Sequence, residues 1–450
     1  MPTKEGFRGS CLFAVAAGLL VFAGLAKAQT PLRVGEPHKI HLESSGLIER
    51  AGVATIESAP TGTGRTFEIQ HPGATYISLH FKNFNLQPEE SLIISDPAGG
   101  QSYTMEGRGR SDLGTFWAQH VKGDTIVLDL VTTRNGAPGF LIDEYAAGFV
   151  DLGAGIERIC GNNDLENAVC ALDGRTGGSA AYNKGRAVAR LLIQGISLCT
   201  GWLASADNRL FTNQHCISTN AAAVNTDYEF AAEAPTCGSA NCQLCWPGAI
   251  FSGQSLLKAS STYDYALIKL NGNPAGTYGF IEIDDRDAIV GETIYIPAHS
   301  AGRAKEFGFN CNPNGPGPVG GRCVVSSITE AGCSSTSYND VGYWVDGEGG
   351  SSGSPVVAAS NDKAVALHHC HNFCDEGSNQ ENRAVPIDLV CTDACNFIAC
   401  KPCGPNDGCC GPGCTFAADP NCCRPAGTSC TSNSQCCAPL KCKGNPKKCN

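Results

Sequence analysis

The sequence predicts an all-β protein assembled from separate units, and three observations lead to that reading. Glycine is abundant, at 54 of 450 residues, and aromatic residues make up only 7%, which favours a loop-rich, strand-rich chain over a helical one. Apolar residues alternate with polar ones at a period of two: Ile77, Leu79 and Phe81 with Ser78 and His80 between them, and again Ile126, Leu128 and Leu130. The 27 cysteines fall in blocks instead of evenly. A chain of this length suggests about three ordinary domains. Its 42% hydrophobic content is enough to bury a core. A formal charge of −11 argues against a general nucleic-acid binder, which needs a basic face, and the cysteine count argues against a reducing cytosol.

Each unit can be justified in order. Lys4 and Arg8 precede an apolar run from Cys11 to Leu25, and Ala26-Lys27-Ala28 follows as a small-x-small cleavage site. Residues 1–28 therefore read as a secretory signal peptide, and the run is too short and too rich in glycine and alanine for a membrane anchor. Cleavage after Ala28 removes Lys4, Glu5, Arg8, Lys27 and Cys11, leaving a charge of −13 and an even 26 cysteines, as full pairing requires. No later segment is a transmembrane candidate, so a soluble, secreted, extracellular protein is expected. Residues 29–150 contain no cysteine. Their alternating runs, with turn chemistry at Asp96-Pro97-Ala98-Gly99-Gly100 and Asn135-Gly136, predict a small β-sandwich or jelly roll serving as a pro-region or recognition domain. Residues 151–390 carry twelve cysteines and residues 391–450 carry fourteen, so each block can close its own disulfides.

The chemistry lies in 151–390. Three apolar, strand-like runs each abut one polar residue of a Ser/His/Asp set: Leu210-Phe211-Thr212-Asn213-Gln214-His215-Cys216, Tyr263-Asp264-Tyr265-Ala266-Leu267-Ile268-Lys269-Leu270, and Gly349-Gly350-Ser351-Ser352-Gly353-Ser354-Pro355-Val356. Acyl transfer to a serine needs a base for the hydroxyl proton, a carboxylate to hold that base, and donors for the oxyanion. His215, Asp264 and Ser352 fill the first roles, and the N–H groups of Gly350 and Ser352 fill the last. Taken singly, a His beside a Cys is usually structural, an Asp before a strand a turn, and a Gly-Ser run a linker. Their joint occurrence in one cysteine-braced domain carries the reading, and a Cys199–Cys216 bridge would fix the loop that presents His215.

These motifs resemble those of the trypsin-like (chymotrypsin-fold) serine peptidases, nearest to the lysyl endopeptidases and their glutamyl endopeptidase relatives, over about residues 158–390. The resemblance implies a chymotrypsin-like double β-barrel, six strands each, with the triad in the cleft between them. It also implies pairing of Cys160 with Cys374, and of Cys170 with one of Cys237, Cys242 or Cys245, leaving Cys311, Cys323 and Cys333 open. Asp346, six residues before Ser352, stands where trypsins place the carboxylate that binds a basic side chain. His368 matches a histidine that helps bind an acidic side chain in the glutamyl enzymes. The later acids Asp375, Glu376 and Glu381 do not align with the lysyl endopeptidase acid. Cleavage after a basic residue is the favoured expectation. Two departures matter. Ser351 replaces the aspartate that animal trypsins pair with a freed N-terminus, so activation would instead remove the 29–150 unit, near Glu157-Arg158. Thr212-Asn213-Gln214 puts polar residues where relatives carry small apolar ones.

A competing constellation is His368-His369-Cys370-His371 with Cys374, whose spacing suits zinc. In an oxidising compartment with an even cysteine count, disulfides are the better use of Cys370 and Cys374, and neither metal nor cofactor is expected. The tail divides into a cysteine-rich segment, 391–422, and a module at 423–450 whose spacing resembles the knottins, with pairing Cys423–Cys437, Cys430–Cys442 and Cys436–Cys449. Arg424, Lys441, Lys443, Lys447 and Lys448 make that module a local +5 that would dock on an anionic matrix or surface. The expected function is a secreted serine endopeptidase acting on protein or peptide substrates and not on nucleic acid. The alternative from another class is a non-catalytic binding protein, a pseudoprotease displaying the knot as adhesin or inhibitor.

Overall fold

The computed structural model describes residues 30–50, 54–61, 64–132, 139–149, 159, 163–173, 178–311, 321–371 and 381–400, with a few isolated positions beyond. Outside these lie the signal segment, Asn135-Gly136, the site near Glu157-Arg158, Cys160, Cys374, and nearly all of the cysteine-rich tail. Of the knottin-like module, the strand Cys442–Lys443 pairs antiparallel with Lys448–Cys449.

The described chain is almost entirely antiparallel β-structure. In the N-terminal unit two sheets share one apolar core. Phe67, Ile69, Leu92, Ile94, Ile126 and Leu128 come from a five-stranded sheet, and Leu42, Ile77, Leu79, Phe81 and Ile142 come from a six-stranded one. The alternation read from the sequence holds in Thr125–Val131, where Ile126, Leu128 and Leu130 are buried. It breaks at Ser78, buried in the strand Tyr76–Lys82, because Gly195 of the next unit packs on its Cβ and its hydroxyl donates to Ala118 O at 2.9 Å. The outer face of this sheet is therefore a docking face. The turn at Asp96-Pro97-Ala98-Gly99-Gly100 joins Ser91–Ser95 to Ser102–Met105, with Gly99 at φ 70°.

Residues beyond 178 form a closed barrel. Its strands run in the order Ser197–Leu203, Val188–Ile193, Thr226–Phe230, Ala249–Ser260, Tyr265–Leu270 and Arg209–Thr212, and the last pairs back on the first. Leu191, Leu210, Tyr228 and Ile268 are buried on one face of its strands and Trp202, Phe211 and Leu267 on the other. Every residue of Val188–Ile193 is buried, including Arg190, whose guanidinium meets Glu229 at 2.7 Å and donates to Cys245 O and Gly302 O at 3.1 Å. The remaining strands make an eight-stranded antiparallel sheet running from Leu165–Asn167 to Val325–Ala331, and its two end strands are unpaired with each other. One of the two expected barrels thus closes among the described residues.

The N-terminal unit grips the barrel. Leu32–Arg33 extends the barrel sheet by pairing with Leu198 and Ser197, and Leu32 packs on Gly349. Arg110 reaches Asp227 at 2.7 Å, with side chains 7% and 5% exposed, and Tyr76 donates to Gly195 O at 2.8 Å. At the far end, the helix Ile387–Ala394 lays Val390 and Ala394 into the barrel core, followed by Ile398, while Tyr265 donates to Asp393 at 2.7 Å. Packing of this unit therefore continues past the expected boundary at 390, and Cys391 bonds Cys400. Among the described cysteines, Cys170 bonds Cys237, Cys199 bonds Cys216, Cys242 bonds Cys245, Cys311 bonds Cys323, and Cys333 bonds Cys370. No helix among the described residues is long and apolar enough to cross a membrane.

Candidate active site

His215 follows the strand Arg209–Thr212, and Asp264 precedes the strand Tyr265–Leu270. These strands are neighbours in the barrel, so the two residues emerge at the same end. Asp264 accepts from the His215 backbone N–H with Oδ1 at 2.9 Å and contacts His215 Nδ1 with Oδ2 at 2.7 Å. This two-point hold sets the ring and leaves Nε2 buried and without a partner among the described residues. Burial alone would raise the Asp264 carboxyl, but the adjacent imidazoles of His215 and His369 outweigh it and hold it well below the usual carboxylate range.

The backbone at Asp264 is itself unusual. Its φ is 42°, in the left-handed region that Asp tolerates better than most residues. Asn213, fully buried, fixes it by donating Nδ2 to Asp264 O at 2.8 Å. The polar run before His215 is thus part of the site's support. The Cys199–Cys216 disulfide ties the histidine's loop to the strand Ser197–Leu203.

Ser352 lies on a tight loop that the same strand holds. Thr200 N–H donates to Ser352 O at 2.8 Å, and Thr200 Oγ1 donates to Gly350 O at 2.8 Å. Gly350 has φ 101°, and an added Cβ would sit 3.0 Å from His299 O. Gly353 has φ 90°, and its Cβ would fall 2.2 Å from Thr200 O. Both positions require glycine. Ser351 bonds Ser300 through their hydroxyls at 2.8 Å, so the departure at 351 is met by a neutral partner. Hydrogen bonds engage the N–H groups of Ser351, Gly353 and Ser354, and those of Gly350 and Ser352 stay outside this net. Two N–H groups in a low-dielectric loop are suited to a developing negative charge.

Gly353 N–H donates to His368 O at 2.9 Å, which places the strand Lys363–His371 beside the loop. His368 Nδ1 meets the Tyr343 hydroxyl at 2.5 Å, both side chains buried. Its neighbour His369 faces the other way, reaching Asp264 Oδ2 at 3.3 Å and Asp340 Oδ2 at 3.0 Å. The sequence reading singled out neither His369 as part of the triad's surroundings nor Asp340. The signal available was the His-His pair, whose period of two sends one ring to each face. Cys333, Asp340, His369 and Cys370 cluster tightly, but both cysteines are joined in a disulfide and supply no thiolate.

Asp346 is half-buried and accepts from Asp164 N–H at 2.7 Å. Burial, with Asp164 and Glu348 nearby, pushes its carboxyl up to about 6. Glu381 is buried and likewise raised by burial and by Glu330, whereas Asp375 and Glu376 lie outside the described residues.

A family model of the lysyl endopeptidase C-terminal domain matches residues 166–383. The chain is 34% identical over 316 residues to the secreted RxLR effector protein 73 of Plasmopara viticola, covering 66% of this chain and 75% of that one. It is 25% identical over 394 residues to a lysyl endopeptidase of Pseudomonas aeruginosa, covering 79% of each. The chain belongs to the serine-protease superfamily. It shares a family with the Plasmopara protein and is related to the lysyl endopeptidases. Among solved structures, a Glu endopeptidase in complex with MPD aligns over 52% of this chain and 96% of its own, at 18% identity and a TM-score of 0.33. The chain spans only 60% of an HtrA-type protease chain that it also matches, at 15% identity and a TM-score of 0.35.

Proposed function

We propose that the protein is a secreted serine endopeptidase that cleaves peptide bonds through an acyl-enzyme. His215 takes the proton of Ser352 at Nε2 and returns it to the leaving amine. Asp264 orients the ring and stabilises the imidazolium, and the N–H groups of Gly350 and Ser352 receive the oxyanion. The observation that carries this reading is the two-point hold of Asp264 on His215, which leaves Nε2 without a partner among the described residues, on a histidine three residues beyond Thr212, against which Gly353 of the Ser352 loop packs. A preference for a basic residue before the scissile bond rests on Asp346, a half-buried carboxyl among acidic neighbours that a cationic side chain would stabilise. The second unit is read as a double barrel, the N-terminal unit as a sandwich whose release activates the enzyme, and the tail as its anchor to an anionic surface.

The test is labelling with a fluorophosphonate. The processed protein labels on Ser352, and S352A abolishes it; no labelling of the folded, processed chain would instead favour the binding-protein alternative. Cleavage of a peptide library then reads the pocket, and a preference for acidic residues would remove the role given to Asp346.

A further inference from the structure

Asp264 is shared. His215 Nδ1 lies 2.7 Å from its Oδ2, and His369 Nδ1 lies 3.3 Å from the same oxygen. On its far side, His369 Nε2 lies 3.0 Å from Asp340 Oδ2, which also accepts from Cys333 N–H at 2.8 Å. His369 and Asp340 are fully buried. An ionised carboxylate only accepts hydrogen bonds, so an imidazole lying against one carboxylate at each nitrogen is favoured when it carries both protons and a positive charge. The other neighbours are uncharged or paired elsewhere. Ser334 Oγ shares His369 Nδ1 at 3.2 Å, and the Tyr338 ring packs tilted against Tyr263. Arg383, on the adjacent strand, turns away to Glu330.

We propose, on the reading of the site as hydrolytic, that His369 is a positioning residue: a buried cation clamped between Asp264 and Asp340 that fixes the shared carboxylate oxygen and offsets part of the negative charge facing His215. With His369 charged, Asp264, His369 and Asp340 together carry one negative charge, the same as Asp264 alone. The chain thus gains a second charge-assisted bond on Asp264 with no added net charge. When His215 takes the serine proton, the four groups become neutral. Burial disfavours the His369 cation, but the two aspartates outweigh it and raise its pKa to about 9.

The test is the pH profile of fluorophosphonate labelling on the processed full chain and on H369Q, which keeps an amide donor toward Asp264 and loses the charge. The expected result is that the acidic midpoint moves upward by about one pH unit, because a second uncompensated negative charge holds a proton on His215 longer. Slower labelling with an unmoved midpoint marks a packing role and overturns the proposal. Absence of labelling in the unsubstituted chain removes the hydrolytic reading beneath it. Nitrogen NMR of histidine-labelled S352A reads the charge directly, even if H369Q does not fold. One imidazolium should persist at pH 8, and in D340N it should lose its proton at least about one unit lower. A neutral His369 that accepts from Ser334 Oγ at Nδ1 overturns the proposal.

Discussion

Two buried aspartates, each gripped by two basic side chains, behave differently because of what grips them. Asp227, where the N-terminal unit meets the barrel, lies 2.7 Å from Arg110 and 3.0 Å from His120. Asp264, at the strand end beside His215, lies 2.7 Å from His215 and 3.3 Å from His369. Arginine does not release its proton, so Asp227 keeps one fixed countercharge and the cluster acts as a joint. Imidazoles exchange protons in the neutral range, so the charge around Asp264 can change during a reaction. The same residue type holds a joint at one place and, on the proposed mechanism, serves proton transfer at the other.

The comparison breaks most visibly at the carboxylates themselves. Asp264→Asn keeps the left-handed backbone but loses the charge and turns the His215 ring, and labelling of Ser352 should fall by ~10³ to 10⁴-fold. A fall of less than tenfold would deny Asp264 its role. Asp227→Ala leaves Arg110 buried without its anion and should cost about 3–5 kcal/mol in chemical denaturation, with labelling of the folded fraction unchanged. A cost below about 1 kcal/mol would make the joint no stronger than a surface pair.

The pH dependence of stability separates them next, measured by thermal unfolding of S352A. The pKa of His369 is raised from 6.5 to about 9, so its stabilisation is complete below pH ~6.5 and lost as pH rises through about 9, a change on the order of 3 kcal/mol. Asp227 is shifted the other way: burial would raise it, but Arg110 and His120 hold it lowered. Its stabilisation is present above the ordinary carboxylate range and lost as pH falls through its lowered folded value. H369Q should flatten the alkaline slope and leave the acidic one. An alkaline slope that survives H369Q belongs to another group.

Much of this was legible in the chain. His215, Asp264, Ser352 and Gly350 stand in local motifs, because a strand end, a turn and a glycine loop each leave a mark within a few residues. The joint left none. Arg110 and Asp227 are far apart in sequence, and Ser78 reads as solvent-facing until Gly195 is packed on it. His369 and Asp340 were hidden for a related reason. Adjacent strand residues such as His368 and His369 point to opposite faces, but only the packing of the eight-stranded sheet against the barrel shows that one face meets Asp264. The helix Ile387–Ala394 was missed because the cysteine count suggested a boundary at 390, whereas Val390, Ala394 and Ile398 are core residues.

The smallest test uses two asparagines that support the two aspartates. Asn213 donates to Asp264 O at 2.8 Å, and Asn225, close to Asp227 in the chain, accepts from Trp117 N–H at 2.8 Å. Asn213→Ala removes one hydrogen bond, worth about 1 kcal/mol, and Asn225→Ala removes two, since its Nδ2 also donates to Ala221 O at 2.9 Å. The consequences should divide as the aspartates do. Asn213→Ala releases a backbone held at φ 42° and should slow labelling about fivefold, since the carboxylate loses its fixed direction. Asn225→Ala should lower the unfolding midpoint slightly and leave labelling unchanged, because it touches only the joint. Equal effects of both substitutions on labelling would mean that the N-terminal unit and the candidate site are coupled, and that the two aspartates are not independent.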